Sequence, residues 1–204
     1  MSTEFLSEHL TGDAFATRLR ADIAECSKLR FLVAYISDAG LNVLGWSEIA
    51  TALDQLGSFG VSSMSCICGF EPLLNLQNRL SSTGKLKYFL DPNVEKTPGD
   101  PDIVLLHSKL VYLHLPKINK SVVYIGSHNW TERALSATAP SNAEASIRIE
   151  VDYSPDHIAG GGDSIPSQVN RHLIHANRMP ACVEATEANR GLFEQWTQLS
   201  LIHI

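Results

Sequence analysis

Four polar residues between positions 107 and 129 are of types that together can act on a phosphate ester. His107 and Lys109 lie two residues apart, and Ser127 and Asn129 repeat this spacing further along the chain. Side chains two residues apart on a β-strand lie on the same face. A hairpin between the two predicted strands would therefore bring an imidazole, an ammonium, a hydroxyl and an amide around one small space.

This set of groups suits the chemistry of a phosphodiester. Lys109 can neutralise a non-bridging oxygen, Ser127 and Asn129 can donate hydrogen bonds to the same phosphoryl group, and His107 can attack phosphorus. Charge that develops on the phosphoryl oxygens would then meet prearranged donors. Lysine would supply the electrostatic stabilisation for which other enzymes use a divalent metal, so no metal or other cofactor is expected.

The elements that must position these residues follow from hydrophobic periodicity and turn signals. We predict helices over residues 13–28, 40–57, 71–81, 168–178 and 184–201, and strands over 31–37, 61–69, 86–90, 104–115, 121–129 and 143–153. Residues 91–102 and 154–167, rich in proline and glycine, are predicted to be loops, the second one mobile. This order predicts one α/β domain over residues 1–204, with a mixed central sheet in a three-layer α/β/α arrangement.

Composition limits the class of protein and its partners. The chain is 44% hydrophobic and 19% charged, which is typical of a globular protein. Its net charge of -6 argues against an extended basic surface for nucleic acid, although it does not exclude a local basic cleft. No signal peptide and no apolar run of membrane-spanning length is recognisable, so we expect a cytoplasmic protein that does not enter a membrane. The cysteines have no zinc-site spacing and are expected to be buried, reduced thiols; they are Cys26, Cys66, Cys68 and Cys182.

The two motifs resemble the signature of the phospholipase D superfamily, which runs H-x-K, four residues, D, six residues, G-S-x-N. Residues 107–109 (H-S-K) and 126–129 (G-S-H-N) match it. His114 stands in place of the aspartate, and eleven residues rather than six separate it from Gly126. In the family that aspartate is mainly structural, and some nuclease members, including metal-independent restriction endonucleases, lack it. The resemblance implies a phospholipase D-like α/β/α sandwich, and the departure weakens phospholipid hydrolysis more than phosphodiester chemistry in general.

The resemblance extends to the start of the next predicted strand. Residues 142–144 (N-A-E) are similar to the N-x-E of these enzymes, whose glutamate helps to orient the catalytic histidine. It therefore implies that Glu144 acts with His107, Lys109, Ser127 and Asn129 as part of the catalytic set.

Three further residues are predicted to contact the substrate. Trp130 directly follows Asn129 and is able to stack on a base, with a core position as the alternative. Arg133 and Arg148 are able to contact phosphates, with a helix face and a strand face as the alternatives. His114 and His128 alternate away from the motif residues and are predicted to be structural.

The resemblance also predicts a homodimer. Phospholipase D enzymes place two H-x-K motifs across one site, where one histidine attacks and the other protonates the leaving oxygen. This chain has one such motif, because no lysine stands two residues after any of His9, His157, His172, His175 and His203. Two copies would then meet at an isologous interface, with the His107 side chains facing each other over the phosphate.

These observations favour one function and leave two others open. The preferred interpretation is a metal-independent endonuclease that acts on DNA through a phosphohistidine and takes its sequence recognition from a separate subunit. The alternatives are a phospholipid phosphodiesterase or phosphatidyl transferase, and a catalytically idle scaffold that keeps the fold for binding. The acidic composition weakens the nuclease interpretation, whereas the four motif residues together argue against an idle scaffold.

Overall fold

The protein is built on an eight-stranded mixed β-sheet in a computed structural model that describes residues 1–7, 14–63, 69–81, 84–90, 107–136 and 143–201. Across the sheet the strands follow the order β1-β7-β6-β5-β2-β3-β4-β8. Strands β2, β3 and β4 are parallel to one another, and every other neighbouring pair is antiparallel. The strands are β1 (Ser2–Leu6), β2 (Lys28–Val33), β3 (Phe59–Ser62), β4 (Leu86–Phe89), β5 (Leu110–Leu115), β6 (Lys120–Gly126), β7 (Ser146–Asp152) and β8 (Cys182–Val183).

Helices cover both faces of this sheet. The described helices are α1 (Ala14–Glu25), α2 (Asp38–Leu44), α3 (Trp46–Leu53), α4 (Phe70–Leu80), α5 (Glu132–Leu135), α6 (Pro155–Ala159), α7 (Ile165–Arg178) and α8 (Arg190–Leu201). In the part of the chain that the structure describes, no helix combines the length and the apolar character needed to cross a membrane.

Two apolar clusters separate the layers. Leu29, Phe31 and Val33 of β2 pack in the larger cluster with residues of α1 to α4 and α8. The alternate residue Leu32 lies in the second cluster with Leu173 of α7. Because alternate residues of β2 are buried on opposite faces, the chain forms the expected three-layer α/β/α sandwich around a mixed sheet.

Several element boundaries differ from the prediction. The single helix expected over residues 40–57 is two helices, because Gly45 between them has φ 91°, a left-handed conformation that interrupts a helix. The side chain that caps α2 is Ser37, which accepts a hydrogen bond from the amide of Gly40. The loop expected over 154–167 contains all of α6 and the start of α7. The helix expected from residue 184 begins only at Arg190.

Two strands were not predicted. Strand β1 at one edge and the two-residue β8 at the other are too short or too polar to give a clear alternating pattern. The predicted loop 91–102 lies outside the described residues, as do Cys66 and Cys68 and the beginning of the predicted strand 104–115. The helix predicted over 71–81 is confirmed as α4.

Antiparallel pairing gathers the motif residues at one end of the sheet. Strand β5 is antiparallel to both β2 and β6, and β7 is antiparallel to β6. The end of β2, the start of β5, the end of β6 and the start of β7 are therefore neighbours. We call this the motif end of the sheet.

Candidate functional site

The candidate active site begins with His107 and Lys109, just before β5. The ammonium nitrogen of Lys109 lies 2.8 Å from Nδ1 and 3.0 Å from Nε2 of His107, and 2.7 Å from the His107 carbonyl oxygen, to which it donates. The lone pairs of the two ring nitrogens point in different directions, so the ammonium cannot form well-aligned hydrogen bonds to both nitrogens at once. His107 is exposed to solvent, whereas Lys109 is buried with 8% of its surface accessible.

The environment of Lys109 alters its acidity. Burial lowers the pKa of its ammonium below the ordinary lysine value, because fewer water molecules stabilise the charged form. The nearby carboxylate of Glu144 opposes this and raises the pKa of Lys109. Glu144 therefore acts electrostatically on the lysine that touches His107.

Ser127 connects the end of β6 to the segment that carries Glu144. Its backbone amide donates to the carbonyl of Ala145 at 2.9 Å, and its hydroxyl accepts from the amide of Ala145 at 3.0 Å. The same hydroxyl lies 3.3 Å from the Ala145 carbonyl, to which it donates. Ser127 thereby holds the residue next to Glu144 beside the motif end of the sheet.

Asn129 is oriented by the end of β2. Its Oδ1 accepts a hydrogen bond from the backbone amide of Tyr35 at 3.1 Å, which leaves the Nδ2 group as the donor of this side chain. The following residue continues the contact, since the amide of Trp130 donates to the carbonyl of Tyr35 at 2.9 Å. Tyr35 was not among the predicted site residues, because a backbone donor from a distant segment leaves no signal in residue types.

The predicted alternation does not extend to the motif residues themselves. Strand β5 starts at Leu110 and β6 ends at Gly126, so His107, Lys109, Ser127 and Asn129 lie beyond the strand ends. In the strand register Leu110 is opposite Ile125, which brings Lys109 next to Gly126, and the amide of Gly126 donates to the Lys109 carbonyl at 3.3 Å. The segments that carry the motif residues are neighbours because the strand ends are adjacent, and not because the residues share one face of a continuous hairpin.

Two of the three predicted substrate contacts are buried in this structure. Trp130 has no exposed surface and packs against Phe31 with ring centroids 4.0 Å apart, so neither of its faces is open to a base. Arg148 is 1% exposed, and its guanidinium is bound by Asp22 and Glu150. The structure therefore places Trp130 in the core, which was its alternative, and shows Arg148 buried and paired with carboxylates on the face of its strand. Arg133 is exposed on α5, where its predicted contact with phosphate stays a prediction.

The two histidines predicted to be structural are held by neighbouring side chains. His128 is buried, stacks on Phe15 with ring centroids 3.8 Å apart, and has Nδ1 2.7 Å from the Ser146 hydroxyl. His114, at the aspartate position, lies at the opposite end of β5, with Nδ1 3.0 Å from the Ser27 hydroxyl. Neither ring belongs to the group around His107.

Within the described ranges, no cluster of three or more histidine, cysteine, aspartate or glutamate side chains is arranged to hold a metal ion. The charged group in contact with His107 is the ammonium of Lys109, on which the carboxylate of Glu144 acts electrostatically.

The fold is similar to that of phosphatidylserine synthase from Haemophilus influenzae Rd KW20. The TM-score is 0.55 and the sequence identity is 12%. The match covers 96% of this chain and 43% of the synthase chain, so this chain spans less than half of that protein. No protein-family model and no curated protein matches the sequence. At this identity the likeness concerns the fold, and it confirms the expected phospholipase D-like α/β/α sandwich.

Proposed function

We propose that this chain is a phosphodiesterase of the phospholipase D type that uses His107 as nucleophile without a metal ion, and that nucleic acid is its substrate. The observation that carries the proposal is the contact between Lys109 and His107. It joins an exposed nucleophile to a partly buried cation within 3.0 Å. A cation in a place of reduced solvation stabilises a phosphoryl group more strongly than the same charge in water.

The reaction follows from these groups in two steps. A ring nitrogen of His107 attacks phosphorus, a P–N bond forms, and the P–O bond to the leaving group breaks as that oxygen takes a proton from a second imidazole. The second imidazole, now neutral, accepts a proton from water, which attacks phosphorus and breaks the P–N bond. Lys109 would balance charge on the non-bridging oxygens throughout, and Nδ2 of Asn129, whose Oδ1 is held by the Tyr35 amide, would donate to them.

We propose that the second imidazole is His107 of a second copy of the chain. One His107 cannot act as the nucleophile and also protonate the departing oxygen in the same step. The exposure of His107 leaves its ring accessible to another subunit. A homodimer with two-fold symmetry would place two equivalent histidines on opposite sides of one phosphate.

Cleavage in the presence of EDTA tests the chemistry. Wild-type protein is incubated with supercoiled plasmid and with single-stranded DNA, next to the His107→Ala and His172→Ala variants. His172 is an exposed histidine on α7 and is the matched control. We expect cleavage by wild type and His172→Ala and none by His107→Ala. Cleavage that requires magnesium, or that survives His107→Ala, would contradict the proposal.

Mixing inactive and active subunits tests the shared site. If both histidines are needed, activity after subunit exchange should fall with the square of the wild-type fraction when His107→Ala protein is added. A linear fall would mean that each chain works alone. Sedimentation of the same samples gives the oligomeric state independently of activity.

Phosphatidyl transfer is the second candidate, and the structural likeness to a phosphatidylserine synthase is what favours it. The same histidine chemistry would then form a phosphatidyl-histidine and pass the phosphatidyl group to an alcohol. Phospholipid vesicles with EDTA, assayed for released headgroup with and without added serine, distinguish the two candidates. Headgroup release lost in His107→Ala, without cleavage of nucleic acid, would replace the nuclease proposal by this one.

A further inference from the structure

A group of basic side chains lies at the end of the sheet opposite the motif end. Lys28 is the first residue of β2, and Arg30 follows it on the same face. Lys85 and Lys87 lie just before and within β4, which runs parallel to β2 and β3. Arg178 is the last residue of α7, close enough to Arg30 for their charges to interact. We call these five residues the far-end basic patch.

Neutral oxygens hold these cations in place. Lys85, Lys28 and Arg30 donate to three successive carbonyls of the turn after α3: Lys85 to that of Gln55 at 3.2 Å, Lys28 to that of Leu56 at 3.0 Å and Arg30 to that of Gly57 at 2.8 Å. Arg30 also donates to the Asn170 amide oxygen at 2.6 Å and the Ile158 carbonyl at 2.9 Å. Lys87 donates to the carbonyl of Asn177, next to Arg178, at 3.1 Å.

Carboxylates do not neutralise the patch in the described part of the chain. No aspartate or glutamate described there forms an ion pair within 4.0 Å with any of its five residues. The carboxylate of Glu184 lies against Gly84, next to Lys85, and Asp54 precedes Gln55, but neither forms such an ion pair with the patch. The protein as a whole carries a net charge of -6, so this local excess of positive charge contrasts with the rest of the chain.

The absence of counter-ions is energetically unfavourable at Arg30. Arg30 is only 7% exposed, and burial lowers the pKa of its guanidinium. Tyr112 opposes that change, while the positive charge of Arg178 adds to it. Burial and the neighbouring Arg30 likewise lower the pKa of Lys28. A bound anion would stabilise the charged form of both groups.

The shape of the patch favours a ligand with several negative charges. Its members belong to β2, β4 and α7, so one phosphate group cannot contact all of them. Each lysine has three N–H donors and uses one on the carbonyl named above, which leaves others for a ligand. Lys28, Lys85 and Lys87 are half-buried and Arg178 is exposed. The N–H donors of these side chains are therefore accessible to a nucleic acid backbone in solution.

We propose that the far-end basic patch binds the phosphate backbone of a nucleic acid strand, at a distance from the catalytic histidine. As a second contact for substrate, it rests on the function proposed above. The six residues of β2 separate the two ends of the sheet by about 20 Å at roughly 3.3 Å per residue. Along the axis of a B-form duplex this distance corresponds to roughly six phosphates of one strand, at about 3.4 Å per charge on each strand.

Salt-dependent binding tests the patch separately from catalysis. Binding of a fluorescein-labelled single-stranded oligonucleotide is measured by anisotropy in EDTA, with all proteins carrying His107→Ala to prevent turnover. The test variant is Lys28→Gln/Lys85→Gln, since glutamine keeps an N–H donor for the turn carbonyls. The control is Lys117→Gln, which removes the same charge from an exposed lysine that pairs with Glu25 outside the patch. Thermal unfolding followed by circular dichroism confirms that each variant is folded.

We expect the double variant to bind more weakly and to lose about 1.4 from the slope of log K against log salt concentration, at about 0.7 per phosphate contact on a single strand. The Lys117→Gln control should keep the slope of its parent. Equal slopes in the test variant and its parent, or an equal loss per lysine in the control, would overturn the proposal. Binding of the same proteins to anionic phosphatidylglycerol vesicles is measured in parallel. If the double variant loses vesicle binding while its DNA binding is unchanged, the nucleic acid proposal is overturned in favour of a membrane surface. No arm depends on cleavage, so failure of the patch and failure of the proposed reaction are distinguishable.

Discussion

The ammonium of Lys109 lies within 3.0 Å of both ring nitrogens of His107, which is two positions earlier in the chain. Residues 107 to 109 precede the first residue of β5, where the chain is not yet held by the sheet ladder. Lys109 is buried and His107 is exposed. The pair therefore combines a buried cation with an accessible imidazole.

Removal of the Lys109 charge should affect catalysis far more than folding. We expect Lys109→Met to lower the rate of phosphodiester hydrolysis about 10²–10³-fold, as for the loss of one preorganised electrostatic donor. Single-turnover rates with saturating substrate measure the chemical step. Lys117→Met, which removes an exposed lysine elsewhere, should keep the wild-type rate. A similar rate loss in both variants would argue that overall charge matters and the Lys109 site does not.

The interaction of Glu144 with Lys109 predicts the direction of a pKa change. Because the carboxylate raises the pKa of Lys109, Glu144→Gln should move the deprotonation of that ammonium to lower pH. NMR titration of ¹³Cε-labelled lysine measures the midpoint directly, with the Lys109 signal assigned from its loss in Lys109→Arg. A midpoint that is unchanged or higher in Glu144→Gln would mean that the two groups do not interact electrostatically.

Gly126 permits close contact between β6 and β7 beside the site. A Cβ at this position would overlap the Ser146 hydroxyl and the Ala145 carbonyl, the same residues that Ser127 and His128 contact. Gly126→Ala should destabilise the fold by about 1–3 kcal/mol, in the range typical of overpacking, and should lower activity by displacing Ser127. Urea denaturation measures the stability change.

Gly191→Ala is the control: a Cβ at this position in the first turn of α8 meets open space, and the variant should be at least as stable as wild type. Equal stability of Gly126→Ala and wild type would refute the close contact.

A buried ionic network attaches α1 to the sheet. Asp22 accepts hydrogen bonds from Arg148 Nε at 2.8 Å and from the Tyr124 hydroxyl at 2.6 Å, and both Asp22 and Arg148 are buried. Asp22→Asn leaves the arginine with Glu150 as its remaining close counter-ion and should cost about 1.5–3 kcal/mol, as expected for the loss of hydrogen bonds to a charged group. Glu4→Gln removes a carboxylate 3.9 Å from Arg148 that is 42% exposed, and should change stability by less than about 0.5 kcal/mol. Chemical denaturation measures the free energy of unfolding of both variants. A small loss of stability that is the same in both would contradict the network.

The two described cysteines should be unreactive in the folded protein. Burial raises the pKa of the Cys26 thiol to about 12 and that of Cys182 to about 11, so little reactive thiolate forms. In a Cys66→Ser/Cys68→Ser background, iodoacetamide at mildly alkaline pH should leave both thiols unmodified until urea unfolds the chain. Mass spectrometry counts the modified cysteines, and labelling of the native protein would contradict the burial of one or both.

Local sequence was sufficient for much of the fold. Hydrophobic runs identified the buried strands β2, β4 and β5, because a strand covered on both faces needs apolar residues in succession. The helix over α4 followed from its amphipathic spacing in the same way. The proximity of His107 and Lys109 also follows from two positions in one short segment. These features depend on near neighbours, whose relative positions are limited by the backbone.

Features that depend on distant partners could not be predicted in this way. Arg148 looks like a free cation on a polar strand face until Asp22, 126 positions away, is packed against it. Trp130 looks available for stacking until Phe31 covers its ring, and Asn129 acquires its orientation from an amide 94 positions earlier. A polar or aromatic side chain has the same local pattern whether it meets solvent or a partner from another element. Only the packing of the layers determines which of these it meets, since burial and charge pairing are properties of the folded chain.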